Sequence, residues 1–546
     1  MADCALQLSP VSGPAQGEAG PVHYHSLGRV LILADGPIEI PTSGLEAPGP
    51  ISMLVPGTHQ KEQSAAADGP RLLSGRLIEV RGWLGHFAVK FSPLAPGLAD
   101  RAEQAGGRQV TEEFDLIIDL MASPAIVTET PPIGYFRANA VDDLAAILAR
   151  CRELVGHFSK PRYFRYDVSI CAHESFGTPG CTRCLDVCSA DAIVSEGSKI
   201  AVNPHLCQGC ASCTLACPTG ALSYAWPSRE NLLHRVAALL KEAAVGSTIL
   251  VHPRSVTPDI AGLAGGIECF PIEALPAMGE EIWFAALALG AGRVALLADS
   301  DTPEESLALL STRVSQARQM LGVCRVDPDA ILLVRDAEAL AGIDAPRRIG
   351  PSVGEDRLAS ATRYKRLLLN QALSWLGADS EMAASSLDAS APMEAGADSE
   401  KTAAPLESGA AWGRIVIDPD KCTQCSACAE VCPTLAIRYF EDAEQASAEI
   451  GFNEQRCVQC GICASACPED AIHLEPRFAG ARESESWPVV ATGALARCTE
   501  CRRAFIPEKM LEVTLDSIRS KGKLNDDIER QLRRCPECRA QHLQPD

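Results

Sequence analysis

Three stretches of the chain repeat one cysteine spacing, Cys-x2-Cys-x2-Cys-x3-Cys-Pro. They are Cys207, Cys210, Cys213 and Cys217 with Pro218; Cys422, Cys425, Cys428 and Cys432 with Pro433; and Cys457, Cys460, Cys463 and Cys467 with Pro468. Thiolates are soft ligands suited to iron–sulfur centres. Three of them two residues apart wrap one tight loop around three corners of a 4Fe-4S cube. The fourth, on the next helix, points the other way and ligates the neighbouring cluster, so such motifs come in pairs. This crossing rule gives Cys422, Cys425, Cys428 and Cys467 to one cluster, and Cys457, Cys460, Cys463 and Cys432 to another.

The first complete copy has an altered partner upstream: Cys171, then AHESFGTPG, then Cys181, Cys184, Cys188 and Ser189 in place of proline. The rest of the repeat is intact, since Cys188 followed by SADAI parallels Cys217 followed by PTGAL and Cys467 followed by PEDAI. Gly177, Pro179 and Gly180 suit a turn that loops out and returns Cys171 to the cluster. One cube is therefore expected on Cys171, Cys181, Cys184 and Cys217, and one on Cys207, Cys210, Cys213 and Cys188. The alternative is that Cys171 is a bystander and the first centre holds three irons. His173 reads as a solvent-facing loop residue, with ligation as the lesser alternative.

Four further cysteines form two knuckles, Cys498 with Cys501 and Cys535 with Cys538, separated by 33 residues. Two Cys-x2-Cys knuckles match a tetrahedral structural zinc site; a further iron centre or a redox-active thiol pair are the alternatives. The nearby Arg497, Arg502, Arg503, Arg533, Arg534 and Arg539 read as solvated surface. Cys269 and Cys324 lack close partners and read as core thiols.

These sites sit in a chain of 546 residues, of which 24 are cysteine, long enough for several domains. Cysteines at short fixed spacings, with an acid near the N-terminus where a signal peptide needs positive charge, imply metal ligation in a reducing cytoplasm. The formal net charge, 49 − 70 = −21, argues against nucleic acid as the main partner and for basic docking surfaces on redox enzymes. No apolar run approaches the roughly 20 residues of a transmembrane span. The nearest, Trp283–Asp299, contains Arg293 and reads as a buried helix followed by a strand.

The elements that must hold these cysteines are read from periodicity. Strands are expected at Ser247–His252, Arg293–Leu297 and Ala330–Val334, with helices at Glu280–Leu289 and Thr302–Leu321, the latter with Pro303 in its first turn. That order implies a small parallel α/β sheet. The N-terminal part reads as strands Arg29–Leu33, Ile51–Val55 and Phe114–Leu120 with a helix Val141–Leu154, and 57–70 reads as a surface insertion. Segment 377–411, rich in Ala, Ser, Glu, Asp and Pro, reads as a flexible acidic linker that leaves the second cysteine-rich block mobile. The fold class expected is multidomain α/β and α+β. It comprises an α/β domain at 1–160, bi-cluster modules at 161–227 and 412–478, a small α/β domain at 228–376, the linker, and a two-knuckle, zinc-ribbon-like tail at 479–546. No Walker loop is present, and Gly290–Ala295 carries the letters of a dinucleotide fingerprint in the wrong setting, after a helix and before a strand.

The repeated cysteine motifs resemble the bacterial two-cluster ferredoxin family over about 125 residues. The run from Tyr163 to Ile193 also looks like large cytoplasmic polyferredoxins associated with formate dehydrogenase gene clusters. More weakly, the stretch after Cys324 is similar to the small subunit of methyl-viologen-reducing hydrogenases. The resemblance implies ferredoxin-like modules of paired βα units around four 4Fe-4S clusters, with the knuckles adding a zinc. The function implied is relay of single low-potential electrons between a soluble donor and a larger redox enzyme, a formate dehydrogenase being one candidate. The alternatives are an iron–sulfur subunit of a flavin- or nicotinamide-linked oxidoreductase, or a maturation or scaffold factor.

Overall fold

The computed structural model describes residues 20–36, 48–56, 70–93, 109–260, 266–300, 302–336, 339, 352–377, 403–480 and 486–541. The expected insertion at 57–70 and most of the expected linker lie outside these residues. The whole is mixed α/β, built on several small sheets.

Near the N-terminus seven strands form one sheet in the order Val110–Phe114, Phe87–Pro93, Arg71–Arg81, Ile51–Val55, Val30–Leu33, Leu116–Asp119 and Tyr135–Arg137. The inner strands pair in parallel, while 71–114 is an antiparallel meander. Val30–Leu33 and Leu116–Asp119 are buried at every position, as parallel strands covered on both faces must be. Helix Leu144–Glu153 covers one face with Leu144, Ile147, Leu148 and Cys151 at helical spacing. The segment 114–120 is two strands rather than the single one expected. Asp115 breaks it: its buried carboxylate accepts hydrogen bonds from the amides of Leu27 and Arg29 and from the Arg29 guanidinium.

The middle of the chain forms a four-stranded, wholly parallel sheet in the order Ile267–Ile272, Thr248–Pro253, Arg293–Leu297, Ile331–Val334. Helix Glu280–Ala288, buried at all its positions, packs against helix Lys365–Gly377. Pro303 caps helix Glu304–Val323 rather than lying within its first turn. Residues Gly290–Ala295 lead from helix to strand. Cys269, read as a core thiol, is disulfide-bonded and half-buried. Cys324 is a buried thiol, pushed up to about 12 by burial.

Segments 164–224 and 413–478 repeat one plan. In each, the first and last strands pair antiparallel, Phe164–Tyr166 with Leu222–Tyr224 and Gly413–Ile417 with Ile472–Phe478. A hairpin lies between them, Ile193–Glu196 with Lys199–Val202 and Ile437–Asp442 with Ser447–Phe452. The second hairpin is extended by Val489–Arg497 and Ala504–Pro507, so the tail grows out of the sheet beside it.

Residues 403–411, placed in a linker by composition, are built into the fold. Ala404–Pro405 pairs with Ile472–Phe478. Leu406, Ala410, Ala411, Trp412 and Phe478 are buried in the same core as the middle sheet. Composition averaged over the segment hides a few small apolar residues that fit a tight interface. These residues of the second module pack on the core of the middle sheet.

Candidate metal centres

Each cysteine loop is shaped by local backbone. In the three complete motifs, left-handed residues alternate with ordinary ones: Gly209 and Ala211, Gln424 and Ser426, Gln459 and Gly461. Such alternation turns successive N–H groups to one side and makes a concavity for an anion. Non-glycine residues hold this conformation only where their surroundings impose it. A short helix comes next in each case, Ser212–Ala216, Ala427–Glu430 and Ile462–Ser465, carrying Cys213, Cys428 and Cys463. The altered motif has the helix, Arg183–Asp186 with Cys184, but Thr182 before it has φ −113°.

Two of the expected crossed sets each line a common cavity. Cys171, Cys181, Cys184 and Cys217 line one cavity, with Tyr166, His173, Ile200 and Leu222 in its walls. Cys422, Cys425, Cys428 and Cys467 line another, walled by Ile417, Ile450 and Ile472. Cys207, Cys213 and Cys188 lie within electrostatic reach of Cys210 or of one another, as do Cys457, Cys460 and Cys463 with Cys432. Burial, reinforced by the neighbouring thiols, pushes Cys184 and Cys428 up to about 12. It pushes Cys207 up to about 11.

The donor sets fit iron–sulfur cubes in three respects. None of the sixteen thiols is disulfide-bonded. Among the described residues they do not crowd around any single-ion point, whereas the tail cysteines do. Their sulfurs also receive amide N–H groups, from Ala192 to Cys188 at 3.2 Å, Leu222 to Cys217 at 3.4 Å, Ala436 to Cys432 at 3.3 Å and Ala471 to Cys467 at 3.3 Å. Hydrogen bonds of this kind tune the potential of a bound cluster.

His173 differs from its sequence reading. It is buried, with one ring nitrogen 3.0 Å from the Cys181 carbonyl and the other 2.8 Å from Ser195 Oγ. Both nitrogens are engaged, so the ring braces the loop.

In the tail, Cys498, Cys501, Cys535 and Cys538 have all four sulfurs within 4.8 Å of one another. Cys501 and Cys535 are 3.6 Å apart. A tetrahedral site with zinc–sulfur bonds near 2.3 Å sets its sulfurs about 3.8 Å apart, so the set fits one ion. Against the cost of burial, amide N–H groups of Cys535, Cys501 and Glu500 hold Cys498 down to about 6, toward the thiolate that a metal requires. The surrounding arginines do more than face solvent. Arg503 pairs with Glu537, Arg534 with Glu500, and Arg533 with Glu512 and Glu529. Arg539 donates to the carbonyls of Gln531, Leu532 and Arg534. The Arg503–Glu537 and Arg534–Glu500 pairs join the two knuckles to each other, while Arg533 and Arg539 tie the second knuckle to the helices before it.

Spacing gave no hint of the basic side chains that sit behind the cysteine loops. Lys160 donates to the carbonyls of His205 and Cys207, and burial lowers it to about 8. Lys365 donates to the carbonyls of Thr214 and Leu215, and Arg366 to those of Gln455, Cys457 and Ala411. Burial lowers Arg366 to about 9. The signal was present as two cations opening an otherwise uncharged helix, KRLLLNQALSWLG, but nothing local says what they face.

Residues 421–471 match the model of the 4Fe-4S dicluster domain, and residues 199–222 that of a 4Fe-4S binding domain. A search of curated proteins finds no match to the chain. The chain therefore carries ferredoxin-type iron–sulfur domains at these two places.

Proposed function

We propose that the chain is an electron-transfer protein with four 4Fe-4S clusters and one structural zinc, passing single low-potential electrons from a soluble donor to a larger redox enzyme. The clusters are assigned to the crossed sets: Cys171, Cys181, Cys184 and Cys217; Cys207, Cys210, Cys213 and Cys188; Cys422, Cys425, Cys428 and Cys467; Cys457, Cys460, Cys463 and Cys432. The observation that carries this reading is that two cavities each hold the last cysteine of one motif with three from its partner, Cys217 in one and Cys467 in the other. The net charge of −21, to which thiolate-bound clusters add, favours a partner with a basic docking face in the cytoplasm. A formate dehydrogenase is the candidate partner, on the resemblance of the run around Cys171. Among the described residues no helix is long and apolar enough to cross a membrane.

Anaerobic purification should give about sixteen irons, sixteen sulfides and one zinc per chain. Eight irons would remove one whole module from the assignment. Anaerobic pull-down should recover subunits of a redox enzyme, and a stoichiometric flavin in the purified chain would instead favour the oxidoreductase-subunit alternative.

A further inference from the structure

The nine residues between Cys171 and Cys181 form a closed hairpin rather than a slack loop. Glu174 pairs with Pro179 and Ser175 with Thr178. Phe176 and Gly177 at the turn both have positive φ, the conformation that two-residue hairpin turns favour. The base is closed by Gly180 N–H to the His173 carbonyl and Cys181 N–H to the Ala172 carbonyl, each 2.8 Å. His173 locks the base to Ser195.

This hairpin packs on helix Ile462–Ser465 of the second module. A Cβ at Gly180 would fall 2.5 Å from Ile462 Cγ1 across the module boundary and 2.6 Å from the Ala172 carbonyl oxygen within the hairpin, so glycine is needed there for space on both sides. Three residues on, the Arg183 guanidinium bridges the modules. One nitrogen lies 3.9 Å from Cys181 Sγ and 3.0 Å from the Val458 carbonyl. The other reaches the Ala410 carbonyl at 3.1 Å and that of Gln459 at 3.3 Å. Adjacent residues of one helix complete the clamp. Lys365 holds Thr214 and Leu215 in the first module, and Arg366 holds Gln455 and Cys457 in the second.

We propose that the hairpin inserted between Cys171 and Cys181, with Arg183, is an inter-module dock that fixes the Cys171, Cys181, Cys184, Cys217 centre against the Cys457, Cys460, Cys463, Cys432 centre, making one continuous relay of the two modules. The inference rests on the four-cluster assignment above. Along such a relay one electron leaves one centre, which is oxidised, and reduces the next, with no proton or ligand exchanged. The Cys207 and Cys422 centres become its two ends.

The test uses the holoprotein and a Gly180→Ala, Arg183→Gln double variant. Iron analysis comes first and judges the cluster assignment alone. With iron retained, low-temperature electron paramagnetic resonance of the fully reduced wild type should show broadening that requires both modules to be reduced. The double variant should lose that component and saturate at several-fold lower microwave power, while coupling within each module stays. Equal spectra at equal iron content overturn the proposal. Hydrogen exchange on the wild type needs no variant and no intact cluster. Amides of Thr178, Gly180 and Cys181 and of 458–463 should be as protected as the neighbouring core, and rapid exchange in both segments overturns the dock however many irons are found.

Discussion

At the scale of single residues, the cysteines were legible because ligation is a covalent requirement written directly into spacing. What spacing could not convey is which side chains support them. Cys171 lines the same cavity as Cys181, Cys184 and Cys217, with Tyr166 in its wall. His173 is two residues away in sequence, yet its ring is committed to Ser195 and the Cys181 carbonyl and has no nitrogen to offer. Cys171→Ala should therefore remove one corner iron and give a three-iron centre, with no substitute ligand. The centre that uses Cys188 should survive, because its remaining ligands come from the other motif. Low-temperature electron paramagnetic resonance of the oxidised variant reads this directly. A wild-type spectrum with full iron would make Cys171 a bystander.

At the scale of elements, the middle sheet was readable because Thr248–Pro253 and Arg293–Leu297 are short apolar runs divided by helical ones. Helix Lys365–Gly377 was missed because its function depends on distant partners. Lys365 is fully buried, 2.8 Å from the Leu215 carbonyl and 3.9 Å from Glu281. Against the cost of burial, Lys365 and Arg229 together hold the Glu281 carboxyl below its usual range. The same lysine steadies the short helix that carries Cys213 and ends at Cys217. Lys365→Met leaves two carbonyls without a donor and a buried carboxylate with one partner fewer. The expected loss of stability is on the order of 3 kcal/mol, read from urea unfolding of the holoprotein by circular dichroism, with earlier release of iron from the first module than from the second. A loss below about 1 kcal/mol, the range of ordinary surface changes, would mean that Arg229 alone satisfies Glu281.

At the scale of the whole molecule, composition is silent on how the parts are joined, because a low-complexity stretch says nothing about the strength of the interface on either side of it. The chain can be tested as two pieces by placing a specific protease site between 378 and 402 and cutting the folded holoprotein. Pieces that stay together on gel filtration at micromolar concentration need an association free energy of about 8 kcal/mol. Across the cut, Leu406, Trp412 and Phe478 are buried in the core of the middle sheet. Burying each such side chain contributes roughly 1.5–3 kcal/mol. The guanidinium of Arg183 makes three hydrogen bonds to the second piece, and that of Arg366 makes three more, stacked on Trp412 at 3.3 Å. Hydrogen bonds from a charged group contribute about 1.5 kcal/mol or more apiece. The sum offsets a rigid-body entropy loss of several kcal/mol and leaves a stable complex. The cut protein should thus run as one brown species under native conditions, and as two bands on a denaturing gel. Because much of the interface is apolar, moderate salt should not divide it. Separation into two coloured pieces at low salt would show that the modules are held only by the chain between them, and the shared relay would fall with the interface.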